Sequence, residues 1–143
     1  MSYQFFEHKA DIGIKGIGKT IAKSFEETAK ALFDLEVDIK KVKPQKKFSI
    51  MAEAQNYEEL LIEFLNALLA ESGIKEMVFS KFLVKISQDK RKDRLILKAN
   101  AYGEKLNIKK HNIRVEVKAA TYGELKVYQD KNKNWINQCI VDV

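Results

Sequence analysis

The stretch Gly13–Thr20, "GIKGIGKT", decides how the chain is read. Glycine, four residues, then Gly-Lys-Thr is the pattern of a loop whose main-chain N–H groups cradle nucleotide phosphates. The adjoining residues suit such a loop. Ile12 and Ile14 alternate with Asp11, Gly13 and Lys15 as in a strand, and Ile21, Phe25, Thr28, Ala29, Leu32 and Phe33 then recur at helical spacing. The wider chain does not suit it. A phosphate-binding loop needs parallel strands joined by helical crossovers, and an acidic residue ending an apolar strand to hold magnesium. The acidic candidates, "LFD" and "LEVD", fall at the end of the first helix instead. Ile14, inside the match, simply continues the strand alternation. The stretch therefore reads as a strand turning through Gly16 and Gly18 into a helix capped by Thr20. Ser24 with Glu27 offers a second start as a capping box. A nucleotide-binding protein built on Gly13–Thr20 is the first rival function.

Outward from this stretch, "YQFFEH" is a short strand before it, and the helix after it runs to about Leu35. "KVKPQKK" is a basic loop with the only proline, and "FSIMAEA" alternates with Phe48, Ile50, Ala52 and Ala54 on one face. Asn56 and Glu59 have capping-box spacing. Tyr57, Leu60, Leu61, Phe64, Leu65, Leu68 and Leu69 then form one apolar stripe, with Gly73 as the expected stop. That stripe reads as core rather than as a partner-binding face. "VFSKFLVKIS" and "RLILKANAYG" flank the charged turn "QDKRKD", and "IRVEVKA", "GELKVYQD" and "WINQCIVDV" follow as strands, with "KNKN" as another turn. Consecutive strands joined by short turns give an α+β fold. Its sheets are largely antiparallel or mixed, with two α-helices packed against them, and residues 1–143 form a single domain.

Composition narrows the function by exclusion. The 143 residues carry one cysteine, Cys139, and two histidines, so there is no zinc-type ligand spacing and no internal disulfide. No serine sits in a nucleophile elbow, and no Cys/His pair stands out. The longest apolar run, Leu60–Ala70, includes Glu63 and Asn66 and is too short to span a bilayer. The opening "MSYQFFEHKAD" lacks the features of a signal peptide, so a cytoplasmic protein without membrane contact is expected. A net charge of +6 favours polyanions weakly. Nearly all of it is lysine, which reads first as a solvated surface; a stand-alone basic RNA-binding protein is the second rival.

One constellation remains. If the strand starting at Asp11 lies antiparallel to the strand ending at Asp142, two carboxylates meet at one sheet edge. With a main-chain carbonyl and Val143 they make an all-oxygen site of the kind that calcium or magnesium prefers. The plainer reading leaves both aspartates as strand-end surface residues.

Four segments together resemble one family. "EHKADIGIKGIGKT" with "SFEETAKALF" is similar to the opening of the archease family. "YEELLIEFLNALL" resembles its second helix. "YGEKLN...H...VEVKAATYGELKV" resembles its signature around Val-Lys-Ala-x-Thr-Tyr, and "WINQCIVDV" its terminus. The resemblance covers essentially the whole chain. It implies a protein cofactor, not an enzyme, that assists an RtcB-type RNA ligase in tRNA splicing by promoting guanylylation and multiple turnover; any RNA contact would be indirect or weak. It also implies a calcium-type site on Asp11, Asp142 and Val143, and ligase-activation positions at Lys118, His8, Glu116 and His111. One position departs: the family often has histidine after Thr-Tyr, and here Gly123 follows Tyr122. Any role of that histidine is absent or moved.

Overall fold

A computed structural model describes every residue from Met1 to Val143. Strands β1 (Ser2–His8) and β2 (Asp11–Gly18) form a hairpin, and helix α1 (Ile21–Glu36) follows. A short 3-10 turn, Ile39–Lys41, leads to β3 (Lys46–Ala54), helix α2 (Tyr57–Lys75), and the hairpin of β4 (Met77–Asp89) and β5 (Arg94–Lys105). Helical turn α3 (Ile108–His111), β6 (Ala119–Ala120), β7 (Lys126–Gln129) and β8 (Trp135–Asp142) complete the chain. All pairings are antiparallel. One sheet runs β1-β2-β8-β6 with β7 also on β8, and the other runs β3-β5-β4. This is the expected α+β architecture.

The helices start as their caps dictate. Thr20 accepts a hydrogen bond from the Lys23 N–H at 3.0 Å, and Asn56 from the Glu59 N–H at 2.8 Å. The later start offered by Ser24 is not used; Ser24 lies buried within α1 and donates to the Ile21 carbonyl at 2.7 Å. Gly73 does not stop α2. The helix continues to Lys75 and ends where Glu76 turns left-handed at φ 54°, its N–H donating to the Ser72 carbonyl. The segment "IRVEVKA" is not a strand before Ala119. Its N–H groups are satisfied elsewhere: Arg114 donates to the Glu36 carbonyl at 2.8 Å and Val117 to the Glu36 carboxylate at 3.2 Å.

Helix α1 lies between the two sheets. Against β8, Asn137 donates to Ser24 Oγ at 2.8 Å and accepts from the Thr28 hydroxyl, a buried and fully satisfied polar bridge. Towards the other sheet, the Glu26 carboxylate accepts the Val84 N–H at 2.9 Å, so a helix side chain covers the open edge of β4. Phe33 packs against Phe79 and Phe82 at centroid separations of 5.4 and 5.8 Å. The core draws on both sheets and both long helices, from Ile14 to Val141.

These contacts explain "GIKGIGKT". Gly16 and Gly18 sit directly beneath α1. A Cβ on Gly16 would collide with the Thr28 hydroxyl and the Ser24 carbonyl, and one on Gly18 with the Ser24 main chain. The glycines let the helix approach the strand. None of them has positive φ, so the nest of N–H groups that holds a phosphate is not formed. The stretch is a central strand, paired with β1 and β8 and antiparallel to both, and the nucleotide-binding alternative fails on topology.

Candidate functional site

The β2–β8 ladder pairs Ile12 with Val141, and one step further in the same register sets Asp11 opposite Asp142. His8 pairs with Asp11 on the other side, and Ala119 with Asp142. The row His8–Asp11–Asp142 therefore crosses three strands with its side chains on one face. Because Ile14, Gly16 and Gly18 turn towards α1, the alternation sends Asp11 to the opposite face. Both aspartates are exposed.

The connection from β6 to β7 folds over this face. Thr121 donates through both its N–H and its hydroxyl to the Ile140 carbonyl, each at 2.9 Å, and Gly123 accepts from the Ile140 N–H at 2.8 Å. Glu124 Oε1 then lies 3.1 Å from His8 Nε2. His8, Asp11, Asp142, Thr121 and Glu124 line one cleft of about 400 Å³. No three His, Cys, Asp or Glu side chains converge on a single point in the chain. A cation here would rest on two carboxylates supplemented by main-chain oxygens, a donor set that suits calcium or magnesium and not zinc.

Lys118 reaches the same corner from the side. Its N–H donates to the Asp142 carbonyl at 2.7 Å. Its exposed side chain lines a neighbouring cleft of about 580 Å³ with Glu116, Glu36 and Asn66. Asn66 fixes this corner by accepting the Ala120 N–H at 2.8 Å and donating to the Ala120 carbonyl at 3.2 Å. Burial pushes the Glu36 carboxyl up to about 7; the Val117 hydrogen bond opposes this, and the Glu116 charge adds to it.

Comparison with known proteins covers nearly the whole chain. Residues 3–143 match the model of the Archease protein family (MTH1598/TM1083). The chain belongs to the archease family. It is 39% identical over 141 residues to the protein archease of Pyrococcus furiosus, covering 99% of this chain and 98% of that one. It is 38% identical to that of Thermococcus kodakarensis over the same shares. The solution structure of Methanobacterium thermoautotrophicum protein 1598 superposes with a TM-score of 0.85 at 29% identity, covering 99% of each chain.

Within this archease fold the seven residues singled out from sequence do not form one site. Asp11, Asp142 and His8 line one cleft, with Val143 next in the chain after Asp142, and Lys118 with Glu116 lines the neighbouring cleft. His111 is elsewhere. It is 0% exposed, its Nδ1 accepts the Asn107 N–H at 2.9 Å, and its Nε2 meets Glu104 at 2.8 Å. That tautomer pins the turn after β5. Burial raises the Glu104 carboxyl, but hydrogen bonds from Lys110, His111 and the Lys43 N–H outweigh it and hold the group at about 2. Thr121, Glu124 and Glu36 are the site residues that sequence reading missed. Glu36 falls in the segment "LEVD" at the end of α1, where the sequence shows only a helix end, and Glu124 sits at a left-handed turn, φ 52°. Cys139 is buried, which pushes its thiol up to about 12 and leaves it no nucleophilic role.

Proposed function

We propose that the chain is a protein cofactor of an RtcB-type tRNA-splicing RNA ligase and has no catalytic activity of its own. In this reading it promotes guanylylation of the ligase and its multiple turnover. Family membership supports the reading, and the observation that carries it is the opposition of Asp11 and Asp142 at the edge of the five-stranded sheet. Like charges placed directly opposite destabilise a sheet, and a cation bound between them would relieve that repulsion.

Asp11, Asp142 and the main-chain oxygen of Val143 would hold calcium or another divalent ion. The bound ion would supply concentrated positive charge to a phosphate or carboxylate of the partner. The chain's own residues do the remaining work. His8, held by Glu124, walls one side of the cleft, and Lys118 presents a flexible ammonium on the other for a charge-assisted contact with a partner phosphate or carboxylate. The absence of a helix long and apolar enough to cross a membrane is compatible with this role.

The test is formation of the ligase–guanylate adduct from labelled GTP, with this protein at one-tenth the ligase concentration. Adduct formation faster than with ligase alone supports the proposal. An unchanged rate, with the protein folded, overturns it.

A further inference from the structure

The lysines that look scattered along the sequence are gathered by the second sheet. Its inner face is buried through Ile50, Ala54, Phe82, Val84, Leu97 and Ala101, and its outer face is bare. The registers of β3, β5 and β4 set the outward residues in rows: Lys47–Tyr102–Lys81, then Ser49–Asn100–Leu83, then Met51–Lys98–Lys85. Lys47, Lys81, Lys85 and Lys98 are all exposed, as are Met51 at 65% and Leu83 at 42%.

These lysines are uncompensated. The ion pairs of the chain use Lys23, Lys30, Lys75, Lys110, Arg94 and Arg114, and none uses Lys47, Lys81, Lys85 or Lys98. The acids at the hairpin end of the same face form no ion pair with these four lysines. Glu53 is bound to Arg94 at 3.2 Å, and Asp89 accepts the Arg91 N–H at 3.0 Å. Lys98 and Lys85 lie directly opposite across a strand pair, an arrangement that destabilises the sheet unless an anion lies over it. Lysines on edge strands also deter edge-to-edge pairing, which would account for Lys47, Lys81 and Lys85. It does not account for Lys98, because β5 is the central strand.

Tyr102 indicates which polyanion fits. It is half-buried between Lys47 and Lys81, and Lys81 Nζ lies over its ring, 5.2 Å from the centroid, so a stacking base takes the place of that ammonium and frees it for a backbone phosphate. An aromatic ring on a sheet face between cations is a stacking platform for an unpaired base, and the lysines follow the backbone. The two lysine rows are about 13 Å apart, a length suited to a few nucleotides. We infer that the outer face of β3, β5 and β4 binds single-stranded RNA through Lys47, Lys81, Lys85, Lys98 and Tyr102. This site is separate from the acidic edge.

The test is anisotropy of a labelled twelve-nucleotide oligouridine, without ligase, across a salt series. The wild type should show affinity that falls steeply with salt. Lys85→Glu/Lys98→Glu should weaken binding at least ten-fold and flatten the log–log salt slope by about 1.4, two phosphate contacts of a single strand. Lys126→Glu/Lys131→Glu removes the same charge from another surface and should change affinity less than three-fold. Tyr102→Ala should weaken binding and Tyr102→Phe restore it. If a glutamate variant melts early, Lys85→Gln/Lys98→Gln takes its place. Three outcomes overturn the inference: no salt-dependent binding by the wild type, equal loss from the two double variants, or binding to phosphatidylserine vesicles in place of the oligonucleotide. Because no ligase is present, each of them leaves the ligase-cofactor proposal untouched.

Discussion

Lys118 and Asp142 are joined main chain to main chain: the N–H of one donates to the carbonyl of the other at 2.7 Å. This bond ties the corner that carries Lys118 to the strand that carries the acidic pair, and it leaves both side chains exposed. Replacing the Lys118 side chain keeps the bond. Lys118→Ala should therefore stay within about 0.5 kcal/mol of wild-type stability. Stimulation of the ligase should nevertheless fall by at least ten-fold. Thermal melts and turnover assays on the same preparation separate the two effects; a large loss of stability would make Lys118 a structural residue.

The acidic pair makes an opposite demand on stability with and without metal. With chelator present, Asp142→Asn should be as stable as wild type or slightly more so, because it relieves repulsion from Asp11. With calcium at a hundred times its dissociation constant the wild type should gain about 2.7 kcal/mol, and Asp142→Asn should gain nothing. Melting temperatures over a calcium series read this directly. Equal calcium response in the two proteins would place any metal elsewhere.

The glycines of β2 answer to packing. Gly16→Ala forces a methyl group into the Thr28 hydroxyl and the Ser24 carbonyl of α1. Denaturant unfolding should show a loss of about 3 kcal/mol or more, the upper range of overpacked cores. Lys19→Ala, which removes the lysine of the phosphate-loop pattern, should leave stability and ligase stimulation unchanged. A loss of nucleotide binding in Lys19→Ala would revive the reading that the topology rejects.

Glu36 gives a pH signature. Its carboxyl is pushed up to about 7, so the folded state favours the protonated form. The associated stability is complete below the ordinary value of 4.5 and is lost as pH rises through about 7. Glu36→Gln keeps an acceptor for the Val117 N–H and removes the charge. Its unfolding free energy should match wild type near pH 4.5 and exceed it increasingly up to pH 8, by on the order of 1–3 kcal/mol, with the melting temperature rising in step. A gap that does not vary with pH would show that Glu36 ionises as freely as an exposed carboxylate.

Much of this was legible in the sequence because it rests on local physics. Alternation marked β2 and β3, the charged turns between apolar segments marked β4, β5 and β8, and Thr20 and Asn56 announced the helices. The meeting of Asp11 and Asp142 follows from antiparallel pairing of two strands whose ends could be located. What failed depended on contacts distant in sequence. "IRVEVKA" alternates like a strand, but its partners are the carbonyl and carboxylate of Glu36, at the end of α1. The turn Ile108–His111 is too short to show a period and is held by the Asn107 cap and the buried His111 ring. Gly73 looked like a stop because the pattern shows no difference between a glycine after a helix and one in its last turn. The basic face was hidden for the same reason: only the registers of three strands bring Lys47, Lys81, Lys85 and Lys98 together.

The central claim is that the Asp11–Asp142 edge lets this protein turn over an RNA ligase. The most direct measurement is the number of RNA joins per ligase molecule, in calcium, with this protein present at catalytic amounts as wild type, Asp11→Asn or Asp142→Asn. Many joins with wild type, and about one per ligase with either variant while both remain folded, is the expected result. Variants that stimulate as well as wild type would contradict the claim.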